Sequence, residues 1–193
     1  MHSMINGIKK VFGLEPMTVE PGIKTGMPIL SSDPTEVGAD RIVDAVAAYN
    51  IYGGPVLVLD FGTATTYDYV DKSGALAARV TSPGIQISAE ALFRNAAQLP
   101  NIAIKKPENI LAKDTVTGMQ AGLVYGYIGQ VAYIIQKMAQ DIGEDSIKVV
   151  ATGGYGRMFL NEVSAIDVFD PQLALKGLKI IHDKNISNPR YRR

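Results

Sequence analysis

The chain has 193 residues, no cysteine, and 19 basic side chains against 19 acidic ones. That length can bury a core in one or two domains. The balanced charge argues against a dedicated nucleic-acid binder, which carries a basic surplus, and the missing thiols exclude disulfides and thiolate zinc sites. The opening "MHSMINGIKKVFGL" sets its lysines behind a broken apolar stretch, the wrong order for a signal peptide. No apolar run reaches membrane-spanning length, so a soluble, cytoplasmic protein is expected.

Residues 2–12 are predicted to form a short amphipathic helix with Met4, Ile5, Ile8, Val11 and Phe12 on one side. The stretch 14–40 is rich in Pro, Gly, Ser and Thr and reads as loops around short extended pieces. From Asp40 the period turns helical, with Ile42 and Val46, then Val43 and Ala47, at i and i+4. Gly53, Gly54 and Pro55 end that helix and lead into a strand over 56–59. A second strand follows as the other arm of a hairpin, "DKSG" (71–74) turns the chain, and a third strand is predicted over 78–81. "SPGIQIS" leads to a helix that begins near Ser88 and stops before Pro100.

The longest helix is predicted over 115–141, with Gly118, Gly122 and Gly126 along one face. Each glycine costs roughly 1 kcal/mol relative to alanine in a helix interior. The face therefore implies a close neighbour, either within the chain or on another subunit. "IKVVATGG" (147–154) is a buried strand ending in a small polar turn, "AIDVFDP" a further short strand, and "LKGLKIIHDKN" a final helix. Alternating strands and helices make the class α/β. Arg190, Arg192 and Arg193 fall in a polar tail that reads as a frayed terminus.

The chemistry gathers at the polar turns. In "VLVLDFGTATTYDYV" (56–70) Asp60 stands where a buried strand emerges, so its carboxylate can hold a cation or orient water. Gly62 permits a sharp turn, and backbone amides with the hydroxyls of Thr63, Thr65 and Thr66 can then face an anion. The pattern suits a metal-bearing polyphosphate; the plainer reading is a hairpin with good strand residues and a turn-capping Asp. "DFG" is not the protein-kinase motif here, because no glycine-rich loop, VAIK-like lysine or HRD loop accompanies it, and no Walker loop is present. "TGG" (152–154) either admits a flat ligand such as adenine against the backbone of Gly153 and Gly154 or is a plain turn. Asp40 opens a helix, so it either caps orphan amides or, with Arg41 beside it and Gly38 and Ala39 leaving room, takes a proton from an alcohol.

Taken together, "GADRIVDAVAAY", "DFGTATTYD", "PGIQISAEALFRNAAQLP", "DTVTGMQAGLVYGYIGQV", "ATGG" and "DPQLALKGLKIIHDKN" resemble, in order and spacing, the type III pantothenate kinases. The resemblance runs from Met1 to Asn185. It implies the acetate kinase, sugar kinase, Hsp70 and actin superfamily, with paired ribonuclease-H-like lobes: residues 1–54 a remnant of the first, 55–185 a complete second, and 186–193 a tail. It implies ATP-dependent phosphorylation of pantothenate to 4′-phosphopantothenate, the entry to coenzyme A. It further implies Mg2+ with the nucleotide, a monovalent cation (K+ or NH4+), and a homodimer. By the same resemblance Asp40 is the catalytic base, and Gly38, Ala39, Asp40, Arg41 and Thr115 bind pantothenate. Thr63, Gly62, Thr65, Gly153 and Gly154 contact ATP, and Asp60 binds the monovalent cation.

The sequence also departs from that family. The opening strand with Asp-x-Gly-Asn-Thr, the first phosphate loop, is missing, which leads us to expect weak ATP binding, an open sheet edge and exposed apolar surface. Ala78 and Arg79 replace a Gly-Gly pair, so Arg79 either swings outward or intrudes on the cleft. Asp114 adds a negative charge beside Thr115, expected to disfavour the pantothenate carboxylate, and Ala174 replaces a threonine with little expected effect. A non-catalytic binding or regulatory homologue, and a kinase of the same superfamily acting on another alcohol, are the alternatives.

Overall fold

The computed structural model describes residues 2–187. Its elements in chain order are α1 (His2–Phe12), α2 (Ala39–Tyr52), β1 (Val56–Phe61), β2 (Ala64–Val70), β3 (Leu76–Pro83), α3 (Ile85–Asn95), α4 (Thr115–Ile142), β4 (Lys148–Thr152), α5 (Gly156–Phe159), β5 (Val168–Phe169) and α6 (Leu173–Asn185). Arg190, Arg192 and Arg193 lie outside the described residues. Among the described residues no helix is long and apolar enough to cross a membrane.

The strands form one five-stranded sheet in the order β3-β2-β1-β4-β5. β2 runs antiparallel to both β1 and β3, whereas β4 lies parallel to β1 and β5 parallel to β4. The chain reaches β4 only after crossing the sheet through α3 and α4, as a parallel neighbour requires.

Strand alternation divides the core into two layers. Leu57, Leu59 and Phe61 of β1, with Tyr67 and Tyr69 of β2, pack on the face covered by α4 through Val124, Tyr127, Val131 and Ile135. Val56 and Val58, with Val70 and Val150, point the other way and meet α2 and α6. Each of these fully buried side chains contributes roughly 1.5–3 kcal/mol. α2 turns Ala45, Ala47 and Ala48 inward, and these small side chains let α6 approach closely. At the crossing, a Cβ on Gly177 of α6 would strike the backbone carbonyl of Val43. Backbone cannot yield as a side chain can, so Gly177→Ala is expected to lower stability by about 1–3 kcal/mol. A lower urea midpoint with an unchanged slope would show it.

Several boundaries differ from the sequence expectations for local reasons. α3 starts at Ile85 rather than near Ser88, because Gly84 is the N-cap and the Ser88 hydroxyl donates back to the Gly84 carbonyl at 2.9 Å inside the first turn. β3 extends to Leu76–Pro83 because its whole length pairs with β2. The short α5 carries no periodic signal, yet it buries Phe159 against Phe61, ring centroids 5.2 Å apart. α1 forms as expected, but Met4, Val11 and Phe12 are exposed. The outer edge of β3 is partly covered, since Leu76 exchanges backbone hydrogen bonds with Pro28 and Leu30.

Among the described residues the glycine face of α4 is in close contact with the chain only at its start, where a Cβ on Gly118 would lie 3.8 Å from the Ala112 side chain. Among the described residues nothing lies within 4 Å of a Cβ built on Gly122 or Gly126. The stripe is exposed, and Tyr133 continues it, also exposed.

Candidate functional site

The alternation that splits the core also builds the site. After Val56 and Val58, the next position of β1 on the α2 face is Asp60. After Val150, the next on β4 is Thr152, the register partner of Asp60. Helix α2 crosses above with Asp40 in its first turn and Asp44 one turn later. Asp40, Asp44, Asp60, Thr152, Gly153, Gly154, Arg157 and Ala174 thus line one cleft of about 510 Å³.

Its electrostatics are acidic. Burial raises the Asp60 carboxyl above its ordinary range, and the Asp40 charge adds to the effect. Asp44 is pushed up to about 7, by burial first and then by Asp60, Asp40, Asp68 and Asp170. It is only 4% exposed. The sequence reading missed Asp44, Thr152 and Arg157. One signal was available: Asp44 stands i+4 from Asp40 among apolar positions that face the core.

Asp40 itself is exposed, at the second helical position after the N-cap Gly38. It therefore is not the capping residue; its Oδ1 accepts the Arg41 backbone N–H at 2.9 Å. Gly38 keeps the space beside that carboxylate clear, since a Cβ there would collide with Asp40 Oδ1. The expected side-chain partnership of Asp40 with Arg41 is not formed. The Arg41 guanidinium turns to Asp68, with Nε 2.8 Å from Oδ1 and 3.1 Å from Oδ2, and Nη2 2.8 Å from Oδ1. It also donates to Thr81 Oγ1 and the Val80 carbonyl. A fork of five donors fits these acceptors from two strands better than one carboxylate a residue away.

The expected nucleotide-facing residues divide. Gly62, Thr63 and Gly154 meet Phe61, Gln86, Ile87, Glu90 and Tyr155 around a second hollow of about 360 Å³. The Tyr155 hydroxyl donates to Gln86 Oε1 at 2.7 Å across it. Thr65 is a correction: it points into the core, fully buried, and its hydroxyl bonds the Tyr127 hydroxyl, so it offers no donor to an anion. Strand parity decides this, because Thr65 shares its face with Tyr67 and Tyr69. Gly62 has no positive φ. The glycine that holds this turn is Gly84, whose N–H donates to the Thr63 carbonyl at 3.0 Å and whose Cβ would strike the Gly62 and Thr63 carbonyls. Gly153 adopts φ +90°, and a Cβ there would hit the Asp60 carboxylate and the β1 backbone. Its missing side chain thus makes room for Asp60.

Thr115 begins α4, is exposed, and does not line the Asp40–Asp60 cleft. Asp114 is the helix cap, accepting from the Thr117 N–H at 2.9 Å and from its hydroxyl, and these bonds hold its carboxyl below the usual range. Its acid thus has a structural partner of its own. Arg79 swings away from the cleft and donates to the Ser31 hydroxyl at 2.8 Å.

The chain matches the family model described as type III pantothenate kinase over residues 1–137. It is 59% identical over 184 residues to a type III pantothenate kinase of Agathobacter rectalis, covering 95% of this chain and 71% of that protein. A type III pantothenate kinase of Streptomyces avermitilis is 48% identical over 190 residues, covering 97% and 72%. Among solved structures, a conserved Campylobacter jejuni protein named for the Baf family of transcriptional activators superimposes with a TM-score of 0.62 at 20% identity, covering 96% of this chain and 79% of its own. That likeness concerns the fold alone. The acidic cleft at the ends of β1 and β4 and the match across most of the sequence agree: this chain belongs to the type III pantothenate kinase family.

Proposed function

We propose that the chain transfers the γ-phosphoryl group of ATP to the hydroxyl of pantothenate, forming 4′-phosphopantothenate for coenzyme A synthesis in the cytoplasm. The observation that carries this is the convergence of Asp40 and Asp60 on one cleft, next to the hollow edged by Thr63 and Gly154. The hydroxyl oxygen of pantothenate attacks the γ-phosphorus, the bond to the ADP oxygen breaks, and Asp40 takes the hydroxyl proton. Asp40 suits that task because it is exposed and is paired with no cationic side chain among the described residues. Such a transfer asks mainly for positioning and charge stabilisation. Gly62, Thr63, Gly153 and Gly154 are read as the nucleotide contacts. Mg2+ travelling with ATP would neutralise developing phosphate charge, and Asp60 is read as the ligand of a monovalent cation, K+ or NH4+.

The strand order β3-β2-β1-β4-β5 supports a ribonuclease-H-like lobe of the actin and Hsp70 superfamily. We read residues 55–185 as the second lobe, with α2 packed on it from the preceding segment. The open glycine stripe of α4 supports a homodimer. Thr115, at the start of that helix, then meets pantothenate through a second copy or a movement of α4.

The test is phosphate transfer from labelled ATP to pantothenate by the purified chain, run in potassium and in sodium. Potassium-dependent product is expected. No product from a folded chain would overturn the enzymatic reading and favour a homologue that binds ligand without phosphoryl transfer.

A further inference from the structure

Arg157 has no role in the reading above, and its surroundings give it one. A polyphosphate entering the cleft meets the carboxylates of Asp40 and Asp60, and like charge repels it unless a cation faces it. Among the described residues that line the cleft, Arg157 is the sole basic one. The adjoining hollow adds no other, since its charged wall residue is Glu90. The nearby cations are committed elsewhere. Arg41 pairs with Asp68, Lys176 with Asp170, and Arg79 donates to the Ser31 hydroxyl. Arg157, exposed on α5, forms no ion pair and no side-chain hydrogen bond among the described residues. Its position is set by an aromatic ring instead. β5 pairs with β4 so that Phe169 stands opposite Ala151, the neighbour of Thr152. Gly156 lets that ring come close to α5, because a Cβ there would collide with it. The guanidinium lies over the ring, 5.9 Å from its centroid. An aromatic face steadies a guanidinium without occupying its N–H donors.

We propose that Arg157 binds the phosphate chain of ATP, donating from its guanidinium fork to the phosphate oxygens in the cleft between α2 and the ends of β1 and β4. The planar fork matches phosphate oxygens two at a time, which a point charge does not. Gly154, just upstream of Arg157, lines both the cleft and the hollow, so the turn that carries Arg157 borders both. The other anion of the reaction, the pantothenate carboxylate, fits this position less well. The residues read as its contacts, Gly38 to Arg41, open α2, whereas Arg157 follows the Gly153–Gly154 turn read as a nucleotide contact. The inference deepens the kinase reading and rests on it in one respect, that a nucleotide enters the cleft. It adds the side chain that offsets the cleft's acidity toward that nucleotide.

The experiment titrates ATP, with Mg2+ and K+ present, into the purified chain and reads binding by isothermal calorimetry. Wild type is compared with Arg157→Ala, Arg157→Lys and Lys179→Ala, the last removing an exposed cation from α6. Wild type should bind ATP, and Arg157→Ala should weaken binding by about tenfold or more, as the loss of hydrogen bonds between charged groups implies. Arg157→Lys should fall between the two, because it keeps the charge and loses the fork. Lys179→Ala should stay within a factor of about two. All three variants should melt within about 2 °C of wild type, since both residues are exposed. In the transfer assay Arg157→Ala should raise the KM for ATP by about tenfold or more and leave that for pantothenate within a factor of about two. Unchanged ATP binding in Arg157→Ala, or none in wild type, would overturn the proposal. So would an equal loss in Lys179→Ala, which would point to net charge alone, or a rise in KM confined to pantothenate. ATP binding that depends on Arg157 without any phosphate reaching pantothenate would overturn the kinase reading and leave this inference standing.

Discussion

Asp40→Asn is expected to lower the rate of phosphate transfer to pantothenate by about 10²–10⁴-fold, the range typical of losing a general base. The substitution keeps an oxygen for the 2.9 Å bond from the Arg41 N–H and changes little else, because the side chain is exposed and carries no packing. The melting temperature should therefore stay within about 2 °C of wild type, since exposed substitutions away from special features change stability by no more than about 0.5 kcal/mol. Single-turnover transfer of labelled phosphate, beside a melting curve, separates the two effects. A fall in kcat with little change in the KM for ATP is the signature of a group acting on the transferred proton. Activity within a factor of about three of wild type would contradict the base assignment and move the proton acceptor to another carboxylate of the cleft.

Arg41→Ala should act on a different quantity. The guanidinium holds Asp68, only 2% exposed, and reaches Thr81 and the Val80 carbonyl, so one side chain ties α2 to β2 and β3. Burial already raises the Asp68 carboxyl despite the bonds and charge from Arg41. Removing the arginine leaves that carboxylate without its main partner. Breaking one half of a buried pair costs about 3–5 kcal/mol, and equilibrium urea unfolding should register it. The double variant Arg41→Met with Asp68→Leu should recover most of the loss, because apolar replacement of both partners is close to neutral. If Arg41 instead acted mainly on pantothenate, Arg41→Ala would raise KM and leave the urea midpoint in place.

The contrast between these neighbours shows how much was legible before the fold was known. Helix α2, the hairpin of β1 and β2, strand β4 and the long α4 follow from apolar periods, Gly and Pro punctuation, and turn chemistry, all of which act over a few residues. The family follows as well, because its motifs are local strings in a set order. Asp40 and Asp60 were identifiable as chemical residues because each sits at the end of an element, where a side chain is positioned yet free.

What lay beyond the sequence depends on which faces meet. Thr63 and Thr65 look alike in the string, but strand parity sends Thr65 into the core against Tyr127. Arg41 adjoins Asp40 in sequence, and only the approach of β2 and β3 gives its guanidinium a better set of acceptors. Gly153 reads as a glycine for a ligand until β1 places the Asp60 carboxylate where its Cβ would be. The glycines of α4 suggest close packing, and the tertiary structure leaves their face open. Asp44 is one acid among many in the sequence, and it becomes a buried carboxyl with an unpartnered oxygen only when α2 lies across the ends of β1 and β4. Local chemistry settled the elements and the family. Long-range packing decided which of their side chains are free to act, because burial and partnership belong to no single segment.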